Sequence, residues 1–250
     1  MPDRSERADV FLVSHGFAAS RAEAQAAIRS GNVEADGRRI TKPAQRLNAH
    51  MNINYEPAHP YVSRGGVKLA AALDHFSLSP KGRVCLDIGA STGGFTQVLL
   101  ERGAERVYAL DVGHGQLHPK IAADPRVKRV EGVNARELTA AKIPEPPRAL
   151  TADVSFISLK LALPPALHLA SADSWAVLLI KPQFEVGPRG VGRRGIVKDD
   201  ALREGAVTDV TGWVKAQGWQ VLGSMESPIM GGDGNREYLL AAKRAEVLRK

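Results

Sequence analysis

The sequence predicts a doubly wound, Rossmann-like α/β domain preceded by a small α+β segment. Three observations carry this reading. An apolar run at 84–88 ends in a glycine-rich turn and leads into a helix-like run at 95–102. A second apolar run at 107–110 ends in Asp111, about 20 residues further on, which is the spacing of a nucleotide-type site on a parallel sheet. From Arg83 onward, short apolar runs alternate with amphipathic stretches, so helices cover both faces of the sheet.

The first 57 residues read differently from the rest. A short apolar-rich helix fits 8–15. Ser20 and Glu23 form a capping box that opens a helix running to Arg29, and Gly31 stops it. The Asp36-Gly37 dipeptide predicts a tight hairpin, and 52–55 alternates like a strand. The stretch at 58–62 is the linker, punctuated by His59-Pro60, and 63–250 form the second domain. An amphipathic helix carrying Lys68, Leu69, Leu73 and Phe76 leads into the sheet. Strands are expected near 83–88, 106–111, 127–131, 149–154, 175–180, 219–224 and 237–242. Helices are expected near 94–102, 114–123, 159–170 and 200–217. The Gly/Arg-rich segment 187–195 reads as a basic loop.

Composition narrows the classes. The chain has 250 residues, 44% of them hydrophobic and 24% charged, which suits an ordinary globular protein. Its formal net charge of +7 permits binding to nucleic acid or to an anionic membrane without choosing between them. Cys85 is the single cysteine, so an internal disulfide is impossible, and its place in an apolar strand reads as core filler. No apolar run is long enough for a signal peptide or a membrane span, which predicts a cytoplasmic protein. The histidines lack metal spacing; His114 and His118 read as helix-surface residues near the cofactor, and no metal site is expected.

The glycine turn points to a cofactor class. It reads G-A-S-T-G-G rather than G-x-G-x-x-G, and Asp87 stands just before it. That acid would repel a pyrophosphate but suits a ligand carrying positive charge, such as the sulfonium and ammonium of S-adenosylmethionine. A methyltransferase is therefore favoured over a dehydrogenase. The candidate cofactor contacts are Asp87, Gly89, Ala90, Ser91, Thr92, Gly93, Gly94 and Phe95 in the turn, with Asp111, Val112 and Asn134 beyond it. Lys68, Asp153, Lys181 and Glu237 would converge at strand ends beside this turn. Two lysines and two carboxylates can activate a ribose hydroxyl, provided that one lysine has a depressed pKa and acts as general base.

Those four residues match the K-D-K-E tetrad of the FtsJ-like 2′-O-methyltransferases. The surrounding motifs V-S-R-G-G-V-K-L (62–69), D-I-G-A-S-T-G-G-F (87–95), A-D-V-S-F-I-S-L (152–159), I-K-P-Q-F-E (180–185) and G-N-R-E-Y (234–238) resemble the TlyA family, haemolysin-named ribosomal RNA methyltransferases. The segment 20–33, with its Asp36-Gly37 turn, resembles the small RNA-binding module first seen in ribosomal protein S-four. The resemblance covers nearly the whole chain. It implies a mostly parallel sheet with an antiparallel last strand, S-adenosylmethionine as cofactor, and 2′-O-methylation of cytidine in ribosomal RNA. It makes Lys181 the base, with Lys68 and Glu237 positioning the ribose and Asp153 orienting the lysines. Ribosomal RNA or ribosomal subunits are the expected partners, with no membrane; the oligomeric state stays open. Arg4, Arg7, Arg21, Arg29, Arg38 and Arg39 in the first segment, and Arg64, Arg189, Arg193 and Arg194 in the second, are the candidate RNA contacts. Tyr61 or Phe184 could stack on an extruded base. The alternatives are a methyltransferase for another RNA, a non-catalytic ribosome-assembly factor, and a membrane-active haemolysin.

Overall fold

A computed structural model describes residues 5–18, 20–192 and 195–244. The chain divides into two compact units between Pro60 and Tyr61.

In the small unit, helices α1 (Ala8–Ser14) and α2 (Arg21–Arg29) pack on short strands. These are β1 (Glu6–Arg7), β2 (Val33–Ala35), β3 (Arg38–Arg39), β4 (Arg46–Leu47) and β5 (Ile53–Tyr55). The Ser20 hydroxyl accepts from the Glu23 N–H at 3.2 Å, so the capping box is formed. Asp36 and Gly37 both have positive φ, at 50° and 72°, which turns β2 back onto β3. β5 pairs on the other side of β2, and β1 pairs with β4. Phe11, Leu12, Ile28, Val33, Ile40 and Leu47 close the core.

The large unit starts with α3 (Gly65–His75), β6 (Val84–Ile88), α4 (Gly94–Glu101) and β7 (Arg106–Asp111). It continues through α5 (Pro119–Ala122), β8 (Val127–Glu131), β9 (Ala149–Ala152), α6 (Leu159–Ala162), α7 (Pro164–Leu169) and β10 (Trp175–Ile180). The last elements are α8 (Pro182–Glu185), α9 (Asp200–Ala216), β11 (Trp219–Glu226) and β12 (Tyr238–Arg244). The seven strands lie in the order β11-β12-β10-β9-β6-β7-β8. All neighbours from β10 to β8 are parallel, and the last strand, β12, is antiparallel to both β10 and β11. The chain moves outward from β6 in one direction and from β9 in the other, so a crevice opens at the carboxyl ends of these two strands. Alternation along β10 shows the two-faced core. Val177 and Leu179 pack with Leu69 and Val98 on one side; Leu178 and Ile180 pack with Leu163 and Val210 on the other.

Two expected helices differ in extent. The one at 114–123 contracts to α5, because Gly113 and Gly115 hold a turn (Gly115 at φ 62°) and Pro119 starts the helix. The one at 159–170 divides at Pro164, which has no N–H to continue α6. His114 therefore lies ahead of the helix, and His118 caps it by accepting from the Lys120 N–H at 3.2 Å.

Candidate active site

The glycine turn is built by close approach of backbones. Gly89 and Ala90 both donate to the Leu110 carbonyl, at 2.8 and 3.0 Å, and the Asp153 N–H donates to the Ile88 carbonyl at 2.9 Å. Gly89 has φ 81°, and a Cβ there would lie 2.3 Å from the Asp153 carbonyl oxygen. A side chain would push the end of β9 away from the turn. Gly94 is held less tightly: its Cβ would meet the Ser63 hydroxyl at 2.1 Å, a side chain that can turn, and the Gly66 nitrogen at 3.0 Å. Gly93 caps α4 with φ 93°.

Three clefts meet here. The first is lined by the turn, with Gly89, Ala90, Ser91, Thr92, Gly94 and Phe95 against Arg64, Lys68 and Asp153. The second holds Asp111, Val112, Val133 and Asn134, and shares Gly89, Ser91 and Asp153 with the first. The third holds Lys181, Gln183, Phe184 and Glu237, and shares Ser155 and Phe156 with the second. The tetrad bridges them. Lys68 from α3 pairs with Glu237, the residue before β12, and both are almost fully buried, at 6% and 3% exposed. Lys181, at the tip of β10, pairs with Asp153 Oδ1 at 2.6 Å and donates to the Ser155 hydroxyl at 2.8 Å. Each ion pair has one member in the first cleft and one in the third.

The second cleft presents two fixed acceptors. Asp111 accepts from the Ser91 N–H on Oδ2 and from the Gly113 N–H on Oδ1, each at 2.8 Å. Both oxygens are thereby fixed and keep lone pairs for further donors. Asn134 holds the following turn by accepting from the Arg136 N–H at 3.1 Å.

Asp87 departs from the sequence reading, which turns it towards the ligand. It is fully buried and lines none of the three clefts. The two-residue period of β6 turns it towards α4, where Thr96 donates to it at 2.7 Å and Thr151 at 2.9 Å. Burial pushes its carboxyl up to about 6, against the pull of the two hydroxyls. It braces the turn from behind. Cys85, on the same strand, is buried and its thiol is pushed up to about 12 by burial, as fits core filler.

Sequence reasoning assigns no role to Ser155, Phe156, Gln183 or Glu185, although they lie inside the quoted motifs. Phe156 is 91% exposed, adopts φ 65°, and its ring centroid lies 5.3 Å from that of Phe184. A non-glycine residue held in that region is strained, a feature that clusters at functional sites. Glu185 accepts from the Ser158 hydroxyl at 2.6 Å and the Leu159 N–H at 2.8 Å, which ties the loop carrying Ser155 and Phe156 to α8. Tyr61 packs against Gly66, where a Cβ would lie 2.3 Å from its ring, so Phe184 is the better placed of the two stacking candidates.

The candidate RNA residues fall into groups. Arg38 and Arg39 are exposed on β3, and Arg29 is exposed at the end of α2. Arg7 and Arg21 are exposed but oriented by the buried Asp9, at 3.0 and 2.9 Å. Arg64 lines the first cleft. Arg4, Arg193 and Arg194 lie outside the described residues, as does the Arg189 side chain. Among the described residues no helix is long and apolar enough to cross a membrane, and no group of side chains could hold a metal ion.

The chain is similar to known proteins. The FtsJ-like methyltransferase family matches residues 61–244, and the S4 domain matches residues 6–53. The 16S/23S rRNA (cytidine-2′-O)-methyltransferase TlyA of Mycobacterium tuberculosis (strain CDC 1551 / Oshkosh) is 44% identical over 95% of this chain and 89% of its own length. Hemolysin A of Brachyspira hyodysenteriae is 41% identical over 93% of this chain and 98% of its own. Among solved structures, a hemolysin-named protein from Streptococcus thermophilus superposes with a TM-score of 0.76 at 38% identity, covering 96% of this chain and 89% of that one. An S-adenosylmethionine-dependent methyltransferase from Listeria monocytogenes shares the fold alone, with a TM-score of 0.55 at 14% identity, covering 74% of this chain and 100% of that one.

Proposed function

The chain belongs to the FtsJ-like methyltransferase family, and from that premise we propose that it methylates the 2′-hydroxyl of a cytidine in ribosomal RNA. The observation that carries the proposal is the double pairing of Lys68 with Glu237 and Lys181 with Asp153, spanning the first and third clefts. S-adenosylmethionine, when bound, supplies a methyl group on a cationic sulfur. The first two clefts fit it. The backbone of Gly89, Ala90 and Ser91 offers close approach, and Asp111 offers two fixed acceptors to a ribose diol. Val112 and Asn134 would flank the adenine.

The third cleft then receives the RNA ribose. A 2′-hydroxyl is a poor nucleophile at neutral pH and must shed its proton as it attacks the methyl. Lys181 takes that proton. Asp153 and Ser155 hold the ammonium in place, and a lysine serves as base only in its neutral form. Lys68, fixed by Glu237, polarises the ribose oxygen. Phe184 offers a face to a base drawn out of its helix, an extrusion that costs about a few kcal/mol. The small unit, matching the S4 domain, grips phosphates with Arg38, Arg39 and Arg29 and so positions the RNA without reading it.

The test is methyl transfer from labelled S-adenosylmethionine to purified ribosomal subunits and their naked RNA, with Lys181→Ala beside the wild type. The expected result is label at an alkali-resistant linkage on a cytidine, reduced by roughly 10²–10⁴-fold in the variant. Cofactor binding without label in any ribosomal RNA overturns the substrate assignment.

A further inference from the structure

We propose that Gln183 reads the target base by accepting a hydrogen bond from its exocyclic amine, so that cytosine is taken in preference to uracil. The inference rests on the RNA methylation argued above and adds the residue that would make it base-selective. Gln183 stands two residues beyond Lys181, in α8, and lines the third cleft with Lys181 and Glu237.

Its amide has a fixed orientation. Nε2 donates to Asp233 Oδ2 at 3.2 Å. Burial pushes the Asp233 carboxyl up, but hydrogen bonds from the backbone and side-chain amides of Asn235 outweigh it and hold the group below the usual carboxylate range. An ionised carboxylate only accepts, so the Gln183 nitrogen must face it and the oxygen must face away. That oxygen, Oε1, is buried, and no donor among the described residues reaches it. Buried acceptors are normally paired, so a small turn of the amide that uncovers Oε1 to the cleft would let a ligand bring the missing donor.

The chemistry of the cleft selects the donor. Phe184, the next residue, and Phe156 present aromatic surfaces in the same cleft, which suits a flat ring rather than an alkyl amine. Cytosine carries an amine at the position where uracil carries a carbonyl oxygen. The amine completes Oε1; the carbonyl would set two acceptors against each other. A site built to hydrogen-bond one group rejects the analogue that lacks it more strongly than an apolar pocket could.

The experiment maps the methylated position with wild-type protein, then offers that ribosomal RNA, in the form the wild type labels, with cytidine or uridine at the mapped position. The readout is the ratio of kcat/KM values. The wild type should favour cytidine by about tenfold or more. Gln183→Met, which keeps the length but removes the acceptor, should bring the ratio close to one. Asp233→Asn, which can donate to Gln183 and so let its amide turn over, should also lower the ratio. A wild-type preference that survives Gln183→Met overturns the inference while leaving the methylation reading intact. Failure of the wild type to label any ribosomal RNA overturns both.

Discussion

Asp9 in the small unit and Asp87 in the large one are both fully buried carboxylates, yet their surroundings push them in opposite directions. Asp9 is met by Arg7, Arg21 and Gln25, which outweigh its burial and hold it far below the usual carboxylate range. Asp87 has only the hydroxyls of Thr96 and Thr151, and burial raises it to about 6. The difference follows from location. Asp9 sits in the first turn of a surface helix, where arginines reach it from the solvent side. Asp87 sits inside a parallel sheet whose neighbouring strands supply short, neutral side chains. In the small unit, the buried charge is met by arginines that reach out to the surface. In the large unit charge is drawn inward, to brace a turn at Asp87 and to pair within the tetrad.

The two carboxylates should give the chain opposite responses to acid. A raised carboxyl binds its proton more tightly when folded, so Asp87 makes the large unit lose stability as pH rises from about 4 to about 6, by about 3 kcal/mol at 1.36 kcal/mol per pKa unit. Asp87→Asn should flatten that slope. Urea unfolding followed by tryptophan fluorescence checks it, because Trp175, Trp213 and Trp219 all lie in the large unit. An identical slope in the variant would break the contrast.

The depressed Asp9 carboxyl stabilises the small unit above the usual carboxylate range, and that contribution is lost as pH falls below about 4. Asp9→Ala should weaken the small unit by about 2 kcal/mol, since Arg7 and Arg21 are exposed enough to recover water. Hydrogen exchange of amides in α1 and α2 reads this, and amides of the large unit should be unaffected.

The gentlest test concerns the outward charges. Arg38→Glu with Arg39→Glu should weaken RNA binding and lower the slope of log K against log salt by at least about 2, one for each phosphate that an arginine no longer neutralises. S-adenosylmethionine affinity should stay the same. Unchanged RNA affinity in a filter-binding assay would remove β3 from the phosphate grip.

Much of the architecture is legible because its signals are local. The apolar runs at 107–110 and 175–180 are continuous and that at 84–88 is broken only by Asp87, as suits strands covered on both faces, and Ser20, Gly31 and Asp36-Gly37 mark boundaries in the small unit by backbone chemistry. The pairing of Glu6–Arg7 with Arg46–Leu47 is not legible, since two-residue strands have no period to detect. The tetrad can be picked out in sequence but not divided into pairs, because Lys68 and Glu237 are 169 positions apart and meet only through sheet order. The inward turn of Asp87 needs Thr151, contributed by the neighbouring strand β9. Ser155 and Gln183 gain meaning only from a third cleft that several separate segments close.

Gly89 meets the Asp153 carbonyl with no side chain between them. The glycine turn and the backbone that carries Asp153 are consequently in direct contact, with no side chain between them to absorb movement. Even alanine, the smallest possible change at this position, should therefore loosen donor capture and misalign the acceptor in the same stroke, a double lesion from the loss of a single hydrogen's worth of room.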